Sequence, residues 1–270
     1  GGRLAPMNGQ GRRLPLLAAV LGGAGLVLIV LFLAMLAPRP AGRTATAPPG
    51  PAPPAYRPLP TPPNRDLYDL TRRLRSDGLP PVGGGSPTPP TRQVGDREVF
   101  WAMNLDTYTP FTVTAVLRYA GPHTLFYFDE ASPVDQAVIE QAAREFETRV
   151  YPVIRRHFGS EPSPGLDGDP RLTILHARIP GVAGYFSAAD GYPRFINRYS
   201  NERTMFYVNF EALRPGTQAY LSVLAHEFTH AVQFNEHRAE EGWIQEGLAE
   251  LGSFLAGFPP RSAEAFLTDP

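Results

Sequence analysis

The chain has 270 residues, with 25 basic and 26 acidic side chains and a formal net charge of −1. That balance lacks the basic footprint of a nucleic-acid binder, so nucleic acid is excluded as a partner. With no cysteine, disulfides and thiolate ligands are excluded too, and a metal site has to be built from histidine and carboxylate.

In chain order, residues 1–13 read as a short cytoplasmic N-terminus, in which Met7 is a more natural start than Gly1. Residues 14–37, LPLLAAVLGGAGLVLIVLFLAMLA, carry no charge. At helical rise they can cross a hydrocarbon core of about 30 Å. A cleaved signal has an apolar region of about 7–15 residues, so this longer run reads as an uncleaved anchor, with a secreted form as the alternative. It has no polar face, which speaks against a buried core helix. Arg3, Arg12 and Arg13 precede the span and Arg39 and Arg43 follow it, a bias that places the C-terminal bulk outside the cytoplasm. Residues 38–94 form a linker. Its APPGPAPPAYRPLPTPPN stretch is too poor in apolar side chains to pack and reads as a stiff spacer, followed by a short helix at 66–75 and a loop at 80–91.

Folded structure is expected from Gly95 onward. Alternation in PFTVTAVLRYA, a Gly121-Pro122 turn and HTLFYF predict a β-hairpin, with 99–103 as a third strand. These strands read as a small β-rich subdomain over 95–130. Ser132 as cap, Pro133 at the first helical position and apolar residues at three- and four-residue steps predict one helix running to Phe158, bent near Pro152. RLTILHARI and TMFYVNF read as strands, with GVAGYFSAADGYPRFINRYSNE as the loop between them. The element order is that of an α+β fold, with the main domain over 131–270. His123, His157 and His176 read as structural, and Asp167-Gly168-Asp169 as a turn rather than a calcium site.

After Pro215-Gly216-Thr217 a helix is predicted whose buried stripe is Leu221, Leu224, Ala225, Phe228, Ala231 and Val232. It carries His226-Glu227-Phe228-Thr229-His230, two imidazoles one turn apart on one face, at a separation a single zinc ion can bridge. Zinc lowers the pKa of its water towards 7, and Glu227, beside the metal without ligating it, can take the proton. Taken alone this pattern could be a solvated His/Glu face. The downstream WIQEGLAE segment opens a second helix, with Ile244, Leu248, Leu251 and Leu255 expected inward and Glu246 placed to be the third ligand. Two histidines and a glutamate with one open position suit a catalytic zinc. Glu250, one turn on, reads either as a carboxylate orienting a ligand imidazole or as a solvated surface group.

At these residues the chain resembles the gluzincin metallopeptidases, in which HExxH on one helix is joined by a glutamate within a W-x-x-E-G-[LF]-A type sequence on the next. It is similar in particular to hyicolysin-like bacterial peptidases, from VGDREVFW through GVAGYFS, YSNERTMFYVNF and LAHEFTHAVQF to WIQEGLAEL. The resemblance implies a zincin-like fold and a zinc endopeptidase with metal at His226, His230 and Glu246, catalysis by Glu227, and a protein or peptide as substrate. It further implies that the strand at 204–210 is the sheet edge that pairs with extended substrate. Gluzincins usually continue into a helical subdomain that supplies a transition-state donor, whereas no Tyr or His follows Glu246 here. The donor is expected either upstream, at Tyr185, Tyr192 or Tyr199, or in a C-terminal part that a truncated chain would lack. The rival reading is a catalytically weak, membrane-anchored binding protein for peptide or cell-wall material.

Overall fold

The computed structural model describes residues 67–74, 89–237 and 240–259. The N-terminal segment 1–13, the apolar span 14–37, the proline-rich stretch and most of the 80–91 loop lie outside these residues. Among the described residues no helix is long and apolar enough to cross a membrane.

Helix α1, Leu67–Leu74, takes the place of the short helix expected in the linker. Six strands follow, interleaved with helices: β1 (Arg97–Asn104), β2 (Thr109–Ala120), β3 (Thr124–Asp129), β4 (Leu172–Ala177), β5 (Gly184–Phe186) and β6 (Met205–Asn209). They form one mixed sheet in the order β1-β2-β3-β4-β6-β5, so the chain is α+β. Contacts β1–β2, β2–β3 and β5–β6 are antiparallel, and β3–β4 and β4–β6 are parallel.

Two expectations change here. The strands of 95–130 are not a separate subdomain: β3 pairs with β4 from Thr124↔Leu172 to Phe128↔His176, so the hairpin is the first half of the same sheet. The reason lies in β3 itself, where Thr124 to Phe128 are all fully buried. A strand buried on both faces needs cover on both, which a detached hairpin cannot supply. Nor is the strand within 204–210 an edge. Met205 to Val208 of β6 are likewise buried on both faces, and residues 184–186 fold back antiparallel along it, so that β5 is the edge.

The single helix expected over 132–158 is three pieces: α2 (Gln136–Glu145), a π turn (Phe146–Val150) and α3 (Tyr151–Phe158). Its cap is Asp135, whose side chain accepts from Ala137 N at 2.8 Å, rather than Ser132. The wide turn comes immediately before Pro152, which has no N–H to give and whose ring crowds the carbonyl four residues back. Two further helices, α4 (Gln218–Glu236) and α5 (Gly242–Leu255), complete the described elements.

One core fills the space between sheet and helices, with Phe146, Ile154, Phe206, Leu224 and Phe228 among its members. The other lies on the opposite sheet face, around Phe100, Leu117, Tyr127, Leu175 and Tyr207. The sheet curls over this second core, bringing β1 next to β5 although they stand at opposite ends of the strand order. Trp101 N donates to Asn201 Oδ1 (2.9 Å), Met103 N to the Tyr185 hydroxyl (3.0 Å) and Leu105 N to Pro180 O (3.1 Å).

His176 is a core residue, stacked on Phe128 at 4.0 Å, with Nδ1 3.1 Å from Tyr127 O and Nε2 2.8 Å from the Tyr220 hydroxyl. Burial pushes its imidazole down to about 3. Asp167 and Asp169 pair with arginine: Arg92 lies 2.7 Å from Asp167, 2.8 Å from Asp169 and 3.1 Å from Glu98, tying β1 to the loop before β4.

Candidate metal centre

Helix α4 starts where Thr217 accepts from Tyr220 N at 3.3 Å. All six residues of its expected stripe are fully buried. The burial extends round most of the helix to include His226 and Glu227, because α4 is covered by the sheet and by other helices. His226 and His230, one turn apart, bring their Nε2 atoms to 3.2 Å. Helix α5 delivers Glu246, with Oε2 3.3 Å from His226 Nε2 and Oε1 3.6 Å from His230 Nε2. Ligand atoms of these three residues lie within 4.8 Å of one another.

These separations fit zinc. Tetrahedral bonds of about 2.0–2.1 Å place neighbouring ligand atoms about 3.3 Å apart, close to the spacings seen. Burial lowers the His230 pKa, against Glu246, which raises it; lowering favours the neutral imidazole, the form that ligates. Glu250 Oε1 lies 3.3 Å from His226 Nδ1, within reach of the ring nitrogen facing away from the cluster.

Glu227 is 6% exposed. A Cβ placed on Gly184 would come within 2.8 Å of Val223 Cγ1 and 3.3 Å of Glu227 Cγ. The edge strand β5 thus lies against the Glu227 side of α4 because residue 184 has no side chain.

The contact between α4 and α5 departs from the expected apolar stripe. Ala249, Gly252 and Ser253 are the buried residues of α5, Ile244 and Leu248 are half-buried, and Leu251 and Leu255 are exposed. Small residues let the helix backbones approach closely, and the larger side chains are left at the flanks. Ser253 Oγ donates to Ser222 O at 2.9 Å and Gln233 Nε2 to Gln245 O at 3.2 Å, which holds Glu246 in register with the two histidines.

No family model matches the chain, and no curated protein matches it. Function has to be read from the geometry of the site.

Two cavities lie along α4, the first of them beside the cluster. One, of about 360 Å³, is lined by Phe186, Tyr192, His230, Phe234, Gln245 and Glu246. The other, of about 390 Å³, is bounded by Ala183, Leu213, Ala219 and Val223 and is almost wholly apolar. The three tyrosines expected near the site are separated by the sheet. Tyr192 lines the first cavity, whereas Tyr185 stacks on Tyr207 and Tyr199 packs on Trp101, both away from His226, His230 and Glu246.

Sequence reasoning singled out Glu227 and the three residues that the structure groups, His226, His230 and Glu246, but missed Gly184, Gly252 and the edge strand. Gly-Tyr-Phe is too short to show alternation, and only its presence in a long Gly-rich loop hinted at close packing.

Proposed function

We propose that the chain is a zinc-dependent endopeptidase with a zincin-like fold, tethered by residues 14–37 and acting outside the cytoplasmic membrane. The observation that carries this reading is the convergence of His226, His230 and Glu246 at tetrahedral spacing beside the buried carboxylate of Glu227. Three such donors, with no fourth in the group among the described residues, leave a coordination position for substrate or water, which a structural site would close.

Zinc held there would supply a Lewis acid and bring the pKa of water towards 7. Glu227 accepts the proton of the attacking water and returns it to the leaving amine as the peptide bond breaks. The edge of β5 that faces away from β6 offers backbone donors and acceptors to an extended peptide, fixing the scissile carbonyl beside Glu227. Glu250 orients the His226 ring through Nδ1. Tyr192, lining the cavity next to His230, is placed to donate to the carbonyl oxygen as charge develops on it.

The test is zinc content and casein cleavage, with and without a chelator, for the wild-type chain and Glu227→Gln. One zinc per chain with chelator-sensitive cleavage lost in Glu227→Gln supports the proposal. Zinc without cleavage points to a binding protein, and absence of zinc overturns the proposal.

A further inference from the structure

On the sheet face away from the metal, a cavity of about 80 Å³ opens between β1 and β5. Its walls include four aromatic rings, Trp101, Tyr185, Tyr199 and Tyr207, and Asp190 lines it as well. Trp101 and Tyr199 meet edge to face at 5.0 Å, and Tyr185 and Tyr207 stack at 4.1 Å.

Asp190 is only 2% exposed, and it makes no ion pair among the described residues. Its carboxylate accepts from neutral donors, the Tyr207 hydroxyl at 2.6 Å and Asn201 N at 2.7 Å. Buried carboxylates are rarely left without a counter-ion, and each carboxylate oxygen has a second lone pair to offer. The neighbouring arginines have other partners. Arg203 binds Glu98 at 2.7 Å and lies 4.9 Å from the centre of the Phe100 ring, while Arg198 is exposed and lies 5.0 Å from the centre of the Tyr199 ring. Burial raises the Asp190 pKa to about 6, against Tyr207, Asn201 and the more distant charge of Arg203, which lower it.

We propose that this cavity is a binding site for a basic side chain, lysine or arginine, of the extended peptide that pairs with β5. The inference rests on the peptidase reading for its substrate and on the cavity alone for its chemistry. Aromatic faces attract the cation and Asp190 supplies the missing opposite charge. The register explains the access. Tyr185 is the middle residue of β5 and is paired with Tyr207, on the face opposite α4. In an added strand, the residue across from Tyr185 shares its face and turns its side chain to the cavity, while the residues on either side face α4 and the metal ligands. The selected basic residue therefore lies within one or two positions of the scissile bond.

Two measurements on the full chain test this. The first uses n-butylammonium as probe and Trp101 fluorescence as signal, in a Glu227→Gln, Trp243→Phe background that leaves Trp101 as the only tryptophan. Saturable quenching is expected, absent with n-butanol and weakened about tenfold or more by Asp190→Asn or by Tyr199→Leu. The second compares kcat/KM for peptides carrying lysine or norleucine across from Tyr185. The ratio is expected to be about tenfold or more in favour of lysine and to fall towards one in Asp190→Asn. No saturable quenching, or quenching indifferent to both substitutions in chains that melt cooperatively, overturns the site. Quenching as expected with no cleavage of any peptide upholds the site and rejects the peptidase reading.

Discussion

Gly252→Ala tests whether the α4–α5 contact sets the geometry of the proposed metal site, since it touches none of His226, His230 and Glu246. The added Cβ would run into Thr229 Oγ1 and lie 3.2 Å from Ile154 Cδ1 and from Thr229 Cβ. Thr229 Oγ1 cannot readily yield, being buried and donating to Ala225 O at 2.8 Å. The helix has to move instead, and Glu246, fewer than two turns away on α5, moves with it. Alanine in place of glycine gains about 1 kcal/mol in helix propensity, while overpacking a filled core costs about 1–3 kcal/mol. Net stability should therefore change by no more than about 2 kcal/mol. Zinc affinity, which depends on ligand atoms held to a few tenths of an ångström, should fall about 10–100-fold, as it does when the groups that orient ligands are disturbed. The assay is competition for zinc against a chromophoric chelator, beside urea unfolding. Thr229→Ala in the same chain removes the obstructing oxygen and should restore most of the affinity. Unchanged zinc affinity in Gly252→Ala, or no recovery in the double variant, would refute the reasoning.

Glu250→Ala should weaken zinc by about 10–100-fold while leaving the three ligands in place; equal affinity in the same chelator competition would make Glu250 a solvated surface group. Tyr192→Phe should lower kcat by about 10²-fold or more with little change in zinc content, and steady-state kinetics on a fluorogenic peptide would show an unchanged kcat if the hydroxyl plays no part. Acid should destabilise the fold in two stages, read by urea midpoints from pH 8 to pH 2. His176, held near 3 by burial, stays neutral while the unfolded chain protonates, so stability falls as pH drops from about 6.5, and His176→Phe should flatten that slope. Asp169 is opposed by burial but held down to about 2 by Arg171 and Arg92. Its contribution, about 2 kcal/mol by linkage, is complete above about pH 4 and is lost as pH falls towards 2.

Local pattern was enough for much of this protein. Thr217 and the apolar repeat marked α4, the i,i+4 histidines put two imidazoles on one face, and the WIQEGLAE segment indicated a second helix carrying Glu246. Caps, periodicity and turn residues act over a few positions, so they are legible without knowing what lies across the fold. The order of the strands is not of that kind. β3 and β6 look like ordinary apolar strands in the sequence, and only the pairing of β3 with β4 and of β6 with both β4 and β5 places them inside one sheet. The edge went to a three-residue strand too short to carry alternation.

The face α5 turns to α4 was likewise hidden, because Ala249, Gly252 and Ser253 are chosen for smallness, and an apolar-periodicity rule looks for large side chains. The placement of Gly184 against Glu227, the separation of Tyr192 from Tyr185 and Tyr199, and the closing of Trp101 and Asp190 round one cavity all join residues distant in the chain. Sequence alone singled out the groups proposed to hold a metal and move a proton. The tertiary structure decided which backbone edge, which cavities and which buried carboxylate stand near them, because those depend on long-range packing that no local repeat encodes.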